Sequence, residues 1–506
     1  MPLLDLYGRE AAAYVQSLGL KAVAVVLLRL INSRSPERAS PGDTVKNVLH
    51  TPTADYDAVS FDIGLKKVHI LNNPDLIDEA TRKADVFQKP HGLQKYLSFF
   101  GETGIFTSQY DDWSQHKMVL ARFLARGTLP QYQDDINQTV GELVDKWEKN
   151  GTKDIYEDFK DFAIVNFFRA VLKFDVAPYK DQLKEYVDYL NNEVPLQALN
   201  PLTYVFGHAQ YPKHGRAAID FVQKVLDKVL EPHLDAYTPE HITSEILNAN
   251  GFYDAKNDVE KQAAKQKTYQ QMTELFIAGY DSTASSLTWL YHRLAQNPDV
   301  QDRVCKELSE VAPGGDVTLE ASRNLKYLQR VIFETVRINP TLHLAVPRKA
   351  MEDFTFKSGY QIKKGQYFIV PIFAVNTDPT RFEAPEEFNP DRTLGMKANG
   401  RTKEGELAFY AGPHACIGKS LFLFETSILV AKTLQKFKLT PTGPLPSRSF
   451  KTTITPTNGQ GMNFEKRTSF DFSHVTMAEE KPSAAPGQPA NDVSKCPFHR
   501  VLGIKK

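Results

Sequence analysis

The stretch FYAGPHACIG, residues 409–418, places the tightest constraint on this chain. It sets Cys416 between Gly412 and Gly418, beside a histidine and a proline. The apolar run SLFLFETSILVAKTLQKF (420–437) follows at once, with the periodicity of a long helix. The free N–H groups at the start of such a helix stabilise a thiolate, and a stabilised thiolate is a competent metal ligand. Gly412 and Gly418 let the backbone take unusual angles and let a flat, bulky partner approach. Taken alone, the loop fits a buried structural cysteine better than a metal ligand. One thiolate is too few for a zinc site.

The other two cysteines, Cys305 and Cys496, are too scattered to build a disulfide framework or to complete a four-ligand site, which favours a reducing compartment. Cys305 reads as an ordinary helix position. Lys plus Arg and Asp plus Glu both number 61, so no net field favours nucleic acid. The N-terminal run GLKAVAVVLLRLI (19–31) is greasy, but Lys21 and Arg29 bracket it far short of the roughly 20 apolar residues that span a bilayer. No signal-peptide cleavage pattern follows it. Two placements fit the run: packed on the body, or lying on a membrane surface. The expected location is cytoplasmic or peripheral to a membrane.

From about residue 40 to 465 no long linker, repeat or low-complexity tract interrupts the pattern. This predicts a 1–40 N-terminal helical segment, a single domain over 41–465, and a 466–506 tail too polar to order itself. Segment 58–87 reads as two alternating strands around Gly64, then a helix opened by Asn73 with Pro74 first. A second β-rich pair is expected over 359–376. Long helices are expected over 269–297 and 320–338. The fold class is mainly α with smaller β-sheets (α+β).

Phe409, Gly412, Cys416 and Gly418 resemble, at matching spacing, the heme-binding loop of the cytochrome P-450 family, in which one thiolate serves as axial ligand to heme iron. His414 stands where that family often has arginine; either can donate to a heme propionate. Independent segments agree with the resemblance. FETVR, in YLQRVIFETVRINPTLHLAVPRKA, is similar to the family's glutamate–arginine helix, and RFEAPEEFNPDR to the later segment that completes its buried triad; the resemblance pairs Glu334, Arg337 and Arg392 in folding. The strand after the helix carries Arg348, implied as a propionate contact. LFIAGYDSTASS (275–286) puts Ala278 and Gly279 in mid-helix, where glycine costs about 1 kcal/mol. That points to close helix packing or, by the resemblance, to a groove over the heme. Asp281 with Ser282 and Thr283 then resembles the family's acid–alcohol proton relay, with serine where threonine usually follows the acid. GIFTSQYDDWSQHK resembles the helix whose tryptophan and basic residue bind propionates; Trp113 and Lys117 fit, with His116 as an alternative.

The resemblance implies one large domain with heme b buried between two long helices, Cys416 as axial ligand. It implies a monooxygenase that inserts one atom of O2 into a small, largely apolar substrate by hydroxylation or epoxidation. The pocket would be lined by residues 96–106, Ala278, 341–346 with His343, and the turn 452–456. No G-x-G-x-x-G nucleotide fingerprint follows a strand, so electrons are expected from a separate reductase or ferredoxin docking near Lys419 and the helix after Trp113. Two alternatives stand beside this reading: a peroxide-dependent or hydroperoxide-rearranging enzyme, and a non-catalytic heme sensor or carrier. KCPFH (495–499) is a Cys-Pro motif of the sort found in regulatory heme binding, though in a polar tail it more simply binds nothing.

Overall fold

The computed structural model describes residues 58–63, 66–90, 103–198, 213–313, 317–379, 381–392, 406–450, 453–457, 461–468, 472 and 474–477. The expected N-terminal segment, the run 19–31 and Cys496 lie outside them.

In chain order the helices are α1 (Pro74–Arg82), α2 (Tyr110–Leu124), α3 (Gln133–Asn150), α4 (Ile155–Asn166), α5 (Lys180–Ala198), α6 (Lys213–Leu230) and α7 (Ile242–Ala249). They continue with α8 (Asp258–Gln296), α9 (Pro298–Val311), α10 (Leu319–Asn324), α11 (Lys326–Ile338), α12 (Ile372–Asn376) and α13 (Lys419–Lys436). The strands are β1 (Ala58–Ile63), β2 (Lys66–Leu71), β3 (Phe87–Gln88), β4 (Arg348–Ala350), β5 (Phe354–Thr355) and β6 (Gln361–Ile362). After them come β7 (Tyr367–Ile369), β8 (Phe437–Pro441), β9 (Arg448–Phe450), β10 (Ile454–Pro456) and β11 (Met462–Lys466). The chain is mainly helical with small sheets, as the sequence pattern leads one to expect.

Local chemistry sets several boundaries. Asn73 caps α1, its side chain accepting from Asp75 N–H at 2.7 Å, and Pro74 fills the first position, where a missing N–H costs nothing. α8 starts on Asn257, which accepts from Glu260 N–H at 3.0 Å, and runs 39 residues, or ~58 Å, through the core. Almost its whole C-terminal half is buried, so it has no solvent face to keep polar.

Two expectations need correction and a third needs detail. The helix expected over 320–338 is two helices, because Leu325 leaves the helical conformation between α10 and α11. The β-rich pair expected over 359–376 is present as β6 and β7, in different sheets: β6 pairs with β5, whereas β7 joins the five-stranded sheet β1-β2-β7-β4-β3, parallel to β2 and antiparallel to β4. The segment then ends in the short helix α12. The packed body also runs beyond residue 465. Phe472 is buried, the Arg467 guanidinium lies 5.4 Å over its ring, and Lys306 Nζ donates to Val475 O at 2.6 Å. Phe472, inside a stretch that is polar on average, docks the described residues just past 466.

The main core gathers around α3, α4, α8 and α13, and a second, smaller one lies between α1 and the five-stranded sheet. Between them Glu334 on α11 takes two bonds from Arg337, at 2.8 and 2.9 Å, and one from Arg392 Nε at 3.2 Å. Arg337 also donates to Asn376 O, and Glu334 accepts from Asn389 N–H at 3.1 Å. Glu334 and Arg337 are almost fully buried, so each charge depends on the other. Glu334→Ala should leave two guanidinium groups unpaired and cost about 3–5 kcal/mol, read as a lowered midpoint in thermal unfolding.

Candidate active site

The loop ahead of α13 is folded by its own backbone. Tyr410 and Gly412 adopt positive φ, 57° and 66°, and reverse the chain; Cys416 N–H then donates back to Phe409 O at 2.7 Å. Gly412 is required twice. Its φ disfavours a side chain, and a Cβ there would overlap the Thr81 carbonyl at the end of α1. The close approach made by Gly412 is therefore to α1, not to a flat partner as the sequence suggested. Phe409 packs beneath the loop against Phe333 and Phe422, with ring centroids 6.1 and 5.9 Å away. Gly418 caps α13 and lies against the sulfur: a Cβ there would sit 3.9 Å from Cys416 Sγ.

Cys416 lies deep in the protein yet keeps exposed surface, so its thiol opens on an internal cleft instead of packing against neighbours. Burial pushes the thiol pKa up. The Gly418 and Lys419 N–H groups and the charges of Lys419 and Lys117 pull it back down. A metal that displaces the proton would find a thiolate already solvated by backbone.

Beside the loop stands a cluster of basic groups. Trp113 on α2 faces His414, ring centroids 3.9 Å apart, with the ammonium groups of Lys117 and Lys89 at 5.4 and 5.8 Å from the indole. Lys117 Nζ donates to the Pro413 carbonyl. Arg348, at the start of β4, is buried with its guanidinium 5.8 Å from the Tyr410 ring and donates to the carbonyls of Val346 and Pro347. Burial, then Arg348, Lys89 and Lys117, push His414 down to about 2, so its imidazole is neutral. Among the described residues, His414 Nε2 is a buried ring nitrogen without a hydrogen-bond partner. So many cations around one such nitrogen fit a ligand with carboxylates, as heme propionates are. His116 does not join them: its ring nitrogens meet Gln271 Nε2 at 2.8 Å and Ser108 Oγ at 3.4 Å, turning it toward α8.

On α8 the expected relay residues part company. Ser282 Oγ donates to Ala278 O at 2.5 Å along its own helix. Asp281 is buried, accepting from Tyr156 Oη at 3.2 Å and from the Thr453 hydroxyl. Burial pushes its carboxyl up, and those two hydroxyls hold it down. Thr283 turns the other way, 3.5 Å from Glu425 Oε1, whose second oxygen takes a 2.7 Å bond from Asn166 Nδ2. Gly279 does not open a groove: its bare face meets the Phe167 ring, 3.4 Å from where a Cβ would lie. Helix packing explains its small size.

Sequence reasoning missed Tyr156, Glu425 and Lys89, and placed Thr453 in the pocket-lining turn without its bond to Asp281. Glu425 carried a signal, being the one acid in the apolar run of α13. The others are brought in from more than 120 residues away, or from another element, and no local pattern marks them.

A family model described as Cytochrome P450 matches residues 37–463. Mouse cytochrome P450 3A11 is 25% identical over 366 residues, 68% of this chain and 72% of its own length. Human cytochrome P450 4F12 is 23% identical over 420 residues, 78% of this chain and 80% of its own. A solved zebrafish cytochrome P450 with abiraterone superposes with a TM-score of 0.67 at 21% identity, covering 83% of this chain and 99% of its own.

Two outcomes follow from the site. Gly412→Ala should lower stability by about 3 kcal/mol, whereas Gly279→Ala should stay within about 1 kcal/mol of wild type, compared by chemical denaturation. Burial raises Glu425 from 4.5 to about 8, so the folded protein holds a proton that the unfolded chain releases. That contribution to stability is complete below about pH 4.5 and is lost as pH rises to about 8. The melting temperature of Glu425→Gln, which cannot ionise, should therefore gain on wild type between those pH values and stop gaining above them.

Proposed function

Because the chain belongs to the cytochrome P450 family, and is thus a monooxygenase with heme b and a cysteine thiolate axial ligand, we propose that Cys416 is that ligand. We further propose that the substrate is a small, largely apolar molecule and that a separate protein donates the electrons. Bound heme supplies the one-electron and O2 chemistry, with the thiolate pushing electron density toward iron. The observation that carries the reading is the Cys416 thiol, held by two backbone N–H groups at the edge of a cleft and flanked by basic side chains.

The chain's own residues divide the remaining work. Trp113, Lys117, Arg348 and His414 would hold the propionates. Phe409, Gly412 and Gly418 shape the loop that aims the sulfur. Asp281 is the acid we assign to proton delivery, reached through the Tyr156 and Thr453 hydroxyls it accepts from, and Ser282, bonded to Ala278 O, is the neighbouring hydroxyl on α8. Thr283, turned to Glu425, supports the helix from behind. Tyr156 lies between Asp281 and Lys160, whose ammonium stands 4.7 Å over the tyrosine ring and pairs with Glu157 and Asp188. Those half-exposed carboxylates connect the relay to bulk solvent. Lys419, expected at the electron-donor face, has its ammonium 5.2 Å over the Phe333 ring and 5.5 Å over Phe409, and α2, the other expected docking element, carries the exposed Arg122 paired with Glu245.

None of the described helices is long and apolar enough to cross a membrane. Peripheral attachment through residues 19–31 is the arrangement we propose.

The ferrous carbon monoxide difference spectrum tests the reading. Wild type, and a truncation before Cys496, should show the strongly red-shifted Soret band of a thiolate ligand, and Cys416→Ala should lose it. Asp281→Asn should keep the band but form product about 100-fold more slowly once a substrate is in hand. A histidine-type band in the wild type would overturn the assignment.

A further inference from the structure

The turn Gly104–Ser108 is gripped from both sides by buried side chains of opposite charge. On one side, Glu274 of α8 accepts from Phe106 N–H at 2.7 Å and from Thr107 Oγ1 at 2.8 Å. On the other, Lys89 Nζ donates to Ile105 O at 2.6 Å and to Ser108 O at 3.1 Å. The carboxylate meets the turn's N–H groups and the ammonium meets its carbonyls, so both charges are solvated by the backbone they hold. Burial pushes Glu274 up and Lys89 down, and each offsets part of the other's cost. Gly104 completes the fit, since a Cβ there would fall on the Glu274 carboxyl group. Thr103 Oγ1 adds a 2.7 Å bond to Gln270 on the same helix.

The position of this clasp gives it a consequence. Glu274 lies one helical turn before Ala278, roughly 6 Å along α8. Lys89 reaches to 5.8 Å from the Trp113 ring beside His414. The turn therefore spans from the α8 face to the basic cluster, and carries Phe106, which is 37% exposed. We infer that Glu274 is a positioning residue: its carboxyl clamps the turn Gly104–Ser108 against α8, and the clamped turn limits the size of molecule admitted to the iron. The inference rests on the heme reading proposed above. Glu274 itself is a group that none of the relay or loop chemistry uses.

Phe106 is an exposed residue whose amide is held by Glu274, so the clasp can be read independently of turnover. In heme-loaded, full-length wild type, the Phe106 amide should exchange at least ~100-fold more slowly than an open turn. Glu274→Gln places an NH2 where an acceptor is needed, and Gly104→Ala evicts the carboxylate while leaving Glu274 in place. Either variant should speed that exchange at least ~10-fold. Ferric protein is then titrated with imidazole and with 4-phenylimidazole, both of which ligate iron and shift the Soret band. The variants should change 4-phenylimidazole affinity ~5-fold, about the net worth of one hydrogen bond, and imidazole affinity less than ~2-fold. A fast Phe106 amide in the wild type, or unchanged exchange in both variants, overturns the clasp. Faster exchange with an unchanged affinity ratio overturns its role at the pocket. A wild type without the thiolate-type carbon monoxide band would sink the heme reading and the pocket role with it, while exchange still decides the clasp.

Discussion

The 2.7 Å bond from Cys416 N–H to Phe409 O closes the loop from which the rest of the site is built. It can form only because Tyr410 and Gly412 reverse the backbone with positive φ, and Gly412 can do so only because it has no side chain to strike Thr81. Once closed, the loop delivers Cys416 to the start of α13, where Gly418 and Lys419 N–H groups meet the sulfur. α1, otherwise a peripheral helix, becomes the wall that sets the loop's depth.

Buried charge around this loop is arranged unevenly. On the side of α2 and β4, cationic groups crowd a neutral His414 whose Nε2 has no partner among the described residues. Between α8 and α13, Glu425 has no cation against it among the described residues: raised to about 8, it is a neutral carboxylic acid hydrogen-bonded to an amide and a hydroxyl. A protein interior tolerates either excess only at a cost of several kcal/mol per uncompensated ion. The acid met that cost by keeping its proton. On the cationic side Arg348 is buried beside the Tyr410 ring with Lys89, Lys117 and His414 nearby, a grouping that suits an anionic partner.

The long helix α8 links these two regions. Glu274 holds the turn above it, Asp281 faces Tyr156 and Thr453, and Thr283 faces the acid of α13. Gly279, for which the sequence offered close helix packing or, by the resemblance, a groove, lets the Phe167 ring close against the helix. A small residue in mid-helix signals that something approaches closely, and sequence alone leaves open whether that is a cofactor or a neighbouring ring.

What the sequence determined by itself was local and periodic: the Cys416 loop before its helix, the capped start of α1, the apolar stripes of α8 and α13, and the ion-pairing spacing of Glu334 and Arg337. Each depends on residues within a few positions of one another, where backbone geometry leaves few choices. The break at Leu325, the pairing of β6 and β7 with other strands, and the docking of Phe472 were decided by packing. So were the turn of His116 toward Gln271, the hydroxyls that hold Asp281 and the carboxyl that clamps the 104–108 turn. These contacts join residues far apart in the chain, and their energies come from burial and desolvation. Both are properties of the assembled core that no single segment contains.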